Sequence, residues 1–94
     1  MNEMSLDEQI QSLHKMKASL GDFCKMMQQT METMQNQIKY LRSQGFSIET
    51  EQTYQTRYYT PANSDVEKVV SDIYGRHFAY IDEVIEDLER AKNR

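Results

Sequence analysis

The sequence predicts a mainly α protein. It has a long N-terminal coiled-coil helix over about 5–44, a Tyr/Thr-rich connector, and a second amphipathic helix over about 64–92. The two helices are expected to form one antiparallel helical hairpin, a single domain over 1–94, that self-associates. Three observations predict this. Two interlocked seven-residue apolar series run through the N-terminal half, one of Leu6, Leu13, Leu20, Met27, Met34 and Leu41, the other of Ile10, Lys17, Cys24, Met31 and Ile38. Together they give the alternating 3-4 spacing of a coiled-coil seam. A second stripe with helical spacing follows Pro61. Apolar content is only 38%, and mean hydropathy is −0.81. That leaves little material for a thick core, whereas packed helices need less and association supplies more.

The first helix has a marked start and stop. Met1 to Met4 lie ahead of it and are expected to fray, with Met4 available as a hydrophobic staple. Ser5 and Glu8 make a Ser-x-x-Glu capping box, and Asp7 adds a negative charge where the helix dipole favours one. Lys39 and Arg42 suit the C-terminal end, and Gly45 can take a left-handed stop. Gly21 is the weak point, since a mid-helix glycine costs ~1 kcal/mol against alanine. Met16, Phe23 and Met26 widen the stripe beyond a two-stranded seam. A broad apolar face implies more than one neighbour, and its many methionines adapt to irregular surfaces.

Residues 45–62 carry no heptad and are rich in Thr, Tyr and Gln. Ile48, Thr50, Tyr54, Thr56 and Tyr58 alternate as strand residues do, so a short β-hairpin over about 46–59 or a long loop is expected. Tyr54, Arg57, Tyr58 and Tyr59 are the candidate partner surface, because Tyr and Arg are enriched at binding hot spots.

The second helix is expected to start at Ser64, with Glu67 completing another capping box. Its stripe reads Val66, Val70, Ile73, His77, Tyr80, Val84 and Ala91, widened by Val69, Tyr74, Ile81, Ile85 and Leu88. Phe78 falls off that stripe, and Gly75 is a soft point. At 1.5 Å per residue the first helix is ~60 Å long and the second ~45 Å. Residue 14 then faces the last residue, leaving Leu6, Ile10 and Leu13 without a partner in the hairpin. A second copy is the simplest cover. The candidate self-association residues are therefore Leu6, Ile10, Leu13, Lys17, Leu20, Met27, Met31 and Met34, with Lys17 a seam charge able to set register or snorkel.

Composition narrows the function. The net charge is −4, with eight acids against five bases in residues 64–94. That argues against a nucleic-acid backbone as partner. One cysteine, Cys24, allows no internal disulfide and fits a reducing cytoplasm. No signal peptide and no membrane span are read. His14 and His77 are far apart, and Cys24 on the seam reads as a buried, unreactive thiol. Glu83 and Glu86 share a helical face, as acids in helical pyrophosphohydrolases do, but the first helix offers only Asp22 and Glu32 in answer. No phosphate loop, nucleophile elbow or dinucleotide fingerprint occurs. The expectation is no cofactor, no metal and no catalysis. The protein is expected instead to act as an oligomeric scaffold or inhibitor that binds another protein, of the kind phages and mobile elements encode. An oligomeric binder of a small anion, using Lys17, Lys25 or Arg57, is an alternative.

In length and two-helix plan the chain also resembles the small helical-hairpin proteins of type VII secretion. Gln44-Gly45 stands near that family's Trp-x-Gly turn, and Phe78 to Asp82 has the Phe-x-x-x-Asp spacing related to its export signal. The chain has no tryptophan, and Tyr74 and Tyr80 are followed four residues on by Phe78 and Val84. The resemblance implies an accessory or chaperone-like role shielding a partner helix.

Overall fold

Among the described residues, 3–94 of the computed structural model, every regular element is helical and no strand occurs. Helix α1, Leu6–Ser43, forms one arm of a helical hairpin. The other arm is an unbroken helical run over 48–92. It comprises α2 (Ile48–Tyr54), a π-helical turn (Gln55–Tyr59), α3 (Thr60–Asp72), a second π-helical turn (Ile73–His77) and α4 (Phe78–Lys92). By contact the chain divides into a unit of residues 1–23 with 71–94 and a unit of residues 24–70.

The caps of α1 form as its sequence requires. Glu8 N–H donates to Ser5 Oγ at 3.1 Å, and Ser5 N–H reaches back to Glu8 Oε1 at 3.5 Å. At the other end Gly45 has φ +97°. Gly45 N–H donates to the Arg42 carbonyl and Phe46 N–H to the Leu41 carbonyl, both at 3.1 Å. That pair of bonds is the Schellman stop, and the left-handed residue it needs is the glycine.

The segment expected as a β-hairpin or loop is instead the start of the second arm. Ser47 caps α2, accepting from Thr50 N–H at 3.2 Å, and Glu49 and Glu51 place acids in the first turn. Arg42 Nε, from the end of α1, pairs with Glu51 at 3.2 Å across the turn. The half-buried residues Glu51, Gln55, Tyr59, Ala62, Val66 and Val70 recur at helical spacing, which prevails over the strand-like alternation of Thr and Tyr.

Ser64 is consequently not a cap; it lies inside α3. The helix runs straight through Pro61, and the π turn explains how. Proline has no N–H to give to the carbonyl four residues back, and its ring crowds that carbonyl. The turn before it widens, so Thr60 N–H donates to the Gln55 carbonyl five residues back, and Thr60 Oγ1 donates to the same oxygen at 2.9 Å.

In the unit of residues 1–23 and 71–94 the two segments run antiparallel in one register. Asp7 pairs with Lys92, Lys17 with Asp82, and Gly21 lies against Phe78; each pair of numbers adds to 99. Ile73, Ile81 and Ile85 are its buried core. Leu6, Ile10 and Leu13 are half-buried within this unit. The expectation that they lack a partner in the hairpin is wrong, because the second arm begins at residue 48 and not 64. It therefore extends as far as Asp7.

The second π turn corrects the inward stripe. Phe78 N–H donates to the Ile73 carbonyl, five residues back, so one extra residue is accommodated where Gly75 weakens the α-helix. Past that point the stripe continues as Phe78, Ile81, Val84, Ile85 and Leu88. His77 and Tyr80, expected inside, are exposed, Tyr80 at 67%. His77 Nε2 lies 3.6 Å from Asp72, which Arg76 also meets at 2.7 Å.

Gly21 lies inside the continuous helix α1, and a side chain there has room. A Cβ added there meets Phe78 Cζ at 3.8 Å, an ordinary contact. Gly21→Ala is expected to stabilise the fold by about 0.5–1 kcal/mol. A thermal melt a few degrees above the parent checks this.

In the unit of residues 24–70 the core line on α1 is Cys24, Met31 and Ile38, one residue every seven, all buried. Met27, Met34 and Leu41 flank it, half-buried.

Candidate interaction site

The expected self-association residues divide by depth. Met31 is buried, and Leu6, Ile10, Leu13, Lys17, Leu20, Met27 and Met34 are half-buried. Each of them is thus at least partly covered within its own unit of the chain.

Lys17 illustrates this. Its Nζ donates to Asp82 Oδ1 at 2.8 Å and Oδ2 at 3.1 Å, and it sits 5.3 Å from the centre of the Phe78 ring. Phe78 in turn packs edge-on against Tyr74, with centroids 4.9 Å apart. The lysine stem is therefore covered while its charge stays at the surface, a snorkelling arrangement. Its carboxylate partner also occupies it against an anionic ligand.

The Asp7–Lys92 pair lies at the same unit's far end, on the surface. The carboxylate's hydrogen bond and charge raise the Lys92 pKa above its ordinary value. A raised lysine pKa means the pair contributes at neutral pH and up to the ordinary lysine range, while the Asp7 carboxylate is ionised. The contribution fades as pH climbs through the raised value. At neutral pH the clasp is intact.

Of the four expected partner-surface residues, Tyr54, Arg57 and Tyr58 are exposed and Tyr59 is half-buried. They do not stand on a hairpin. The first π turn and the end of α2 carry them, and Tyr54 and Tyr58 stack at 5.3 Å with planes tilted by 40°. Together with Met34, Gln37, Ile38 and Leu41 of α1, these two tyrosines line a groove of about 400 Å³. A second hollow of about 360 Å³ adjoins it along α1, lined by Met26, Gln29, Thr30, Thr33, Met34 and Gln37. The sequence alone did not single out Thr30, Thr33 or Gln37. Their signal was there, as an absence of charge on one flank of the helix.

Chemistry-bearing groups are not gathered. Cys24 is 0% exposed, and the thiol is sealed from reagents in the folded chain. His14, Glu83 and Glu86 are exposed. Among the described residues no group of three or more His, Cys, Asp or Glu side chains is placed to hold a metal ion. No described helix is long and apolar enough to cross a membrane.

No protein-family model matches the chain, and no curated protein or solved structure matches it.

Proposed function

We propose that this chain is a protein-interaction module of the cytoplasm and not an enzyme: a helical hairpin that self-associates and serves as a scaffold for, or inhibitor of, another protein. The observation that carries this reading is the open groove between α1 and the α2–π segment. Apolar side chains form most of its wall, namely Met34, Ile38, Leu41, Tyr54 and Tyr58. Open apolar hollows rimmed by tyrosine are sites where a partner side chain gains burial that water denies it. In this reading Tyr54, Arg57 and Tyr58 meet the partner protein, while an exposed flank of α1 meets a further copy.

Native mass spectrometry of the purified protein tests the reading directly. The expected result is a homo-oligomer mass, with a stoichiometric polypeptide partner retained when the protein is isolated from its own cells. A lone monomer at micromolar concentration sinks the self-association half. A bound metal or a turned-over small molecule sinks the non-enzymatic half.

A further inference from the structure

The seam of α1 does not stop at the turn. Steps of seven from Ile38 give Gly45, Gln52, Tyr59 and Val66, and steps of seven from Leu41 give Ile48, Gln55, Ala62 and Val69. Seven residues return a helix to within about 20° of the same face. In the second arm Gln55, Tyr59, Ala62 and Val66 belong to the half-buried series, while Gln52 and Val69 are exposed. The inward positions of α1 and of the second arm thus keep one heptad register across residues 44–47. A closed hairpin does not require this. Its turn interrupts the helix, and each arm is then free to take any rotation about its own axis. A single helix running from α1 into α2 does require it.

The turn itself holds little. Among the described residues Gly45 alone has a positive φ, +97°. A Cβ built on Gly45 meets nothing within 4 Å. Phe46 is 48% exposed and Ile48 53%. The turn therefore depends on backbone conformation and its caps more than on packing. Straightened into helix, it forfeits no buried side chain and places Ile48 on the seam between Leu41 and Gln55.

We infer that Gly45 is the hinge of an arm exchange between two copies of this chain. With residues 44–47 helical, α1 continues into α2, and its seam meets the second arm of the other copy. The contacts between arms, Arg42 with Glu51 among them, then re-form between chains. An exchange of this kind costs little in contacts, so the conformation of the turn decides the balance. The inference goes beyond the self-associating reading above, because it draws on no exposed face of the closed hairpin.

Gly45→Ala tests the hinge. A side chain strains the left-handed turn, and alanine favours a helix over glycine. Each exchanged dimer gives up two turns, so its dissociation constant should fall at least about a hundredfold. Ile48→Gln works the other way. It lies at the surface of the hairpin but on the seam of the exchanged form. Added to Gly45→Ala, it should weaken the dimer at least about tenfold. On its own it should leave the melting temperature of the closed chain near the parent value.

The readout uses two full chains in a Cys24→Ala background, one carrying Asp7→Cys and the other Lys92→Cys. These positions meet inside a closed chain, so a short thiol linker joins the two chains only after exchange. Unfolded together and refolded at high concentration, the Gly45→Ala pair should give linked dimer in high yield, and the pair that keeps Gly45 much less. No linked dimer from the Gly45→Ala pair, whether it folds as a monomer or not at all, overturns the inference. If light scattering shows a dimeric parent and no pair yields linked product, arm exchange is wrong and the self-associating reading survives. Linked Gly45→Ala dimer beside a monomeric parent does the reverse.

Discussion

Ile81→Ala should cost about 2–5 kcal/mol, the range for truncating a buried aliphatic side chain whose surroundings do not collapse. Ile81 is 5% exposed and lies between Phe78 and Ile85 on the inward stripe. Domains of this size hold about 5–15 kcal/mol in total, so the variant should unfold at a much lower urea concentration. Its neighbour is the control. Tyr80 is largely exposed, and Tyr80→Ala should stay within about 0.5 kcal/mol of the parent. A regular α-helix from Ser64 turns Tyr80 inward as well as Ile81, and predicts a loss at both positions. The two urea midpoints together therefore read out the extra residue in the Ile73–His77 turn. Equal losses at both positions would mean that the turn is not there.

Cys24→Asp should be more damaging still. Cys24 is 0% exposed, on the core line with Met31 and Ile38. An unpaired carboxylate placed there loses its water without gaining a partner, at a cost of several kcal/mol. The loss must depend on pH. Burial raises the carboxyl pKa of the folded state above that of the unfolded chain. The penalty is thus greatest where the unfolded carboxyl is ionised, and it shrinks as pH falls below the ordinary aspartate range. Circular dichroism should show little helix at pH 7 and partial recovery near pH 3. Cys24→Ala, with no charge to bury, should fold at both.

Much of this arrangement can be read from residue order. The heptads of α1, its Ser5–Glu8 box and the left-handed Gly45 all rest on local rules, and local rules suffice there. The second arm departs from the reading at two points, for two reasons. Thr and Tyr favour strands in isolation, so 46–59 looks extended. The Ser47 cap and the half-buried series Glu51, Gln55, Tyr59 show that tertiary packing overrides that preference. The π turns are harder to read, because a search at 3.6 residues per turn has no place for a five-residue step. One missed residue at Gly75 was enough to put His77 and Tyr80 on the wrong side. The early start of the arm at Ile48 then altered the account of association. Leu6, Ile10 and Leu13 are half-buried within their own chain, and exposed apolar side chains lie elsewhere, Met26, Tyr40, Tyr54 and Tyr58 among them.

The five-residue step from Ile73 to Phe78 also bears on how the gene can change length. Removing the codon for Gly75 shortens that step to four, an ordinary α-helical interval, and leaves Ile73, Phe78, Ile81 and Ile85 in phase. A codon lost anywhere between Ile81 and Ile85 has no such slack to draw on, and it rotates the tail of the arm by about 100°. The chain thus carries a built-in spare residue at one place, where a deletion is silent in packing and shows only as the wide turn reverting to a regular one.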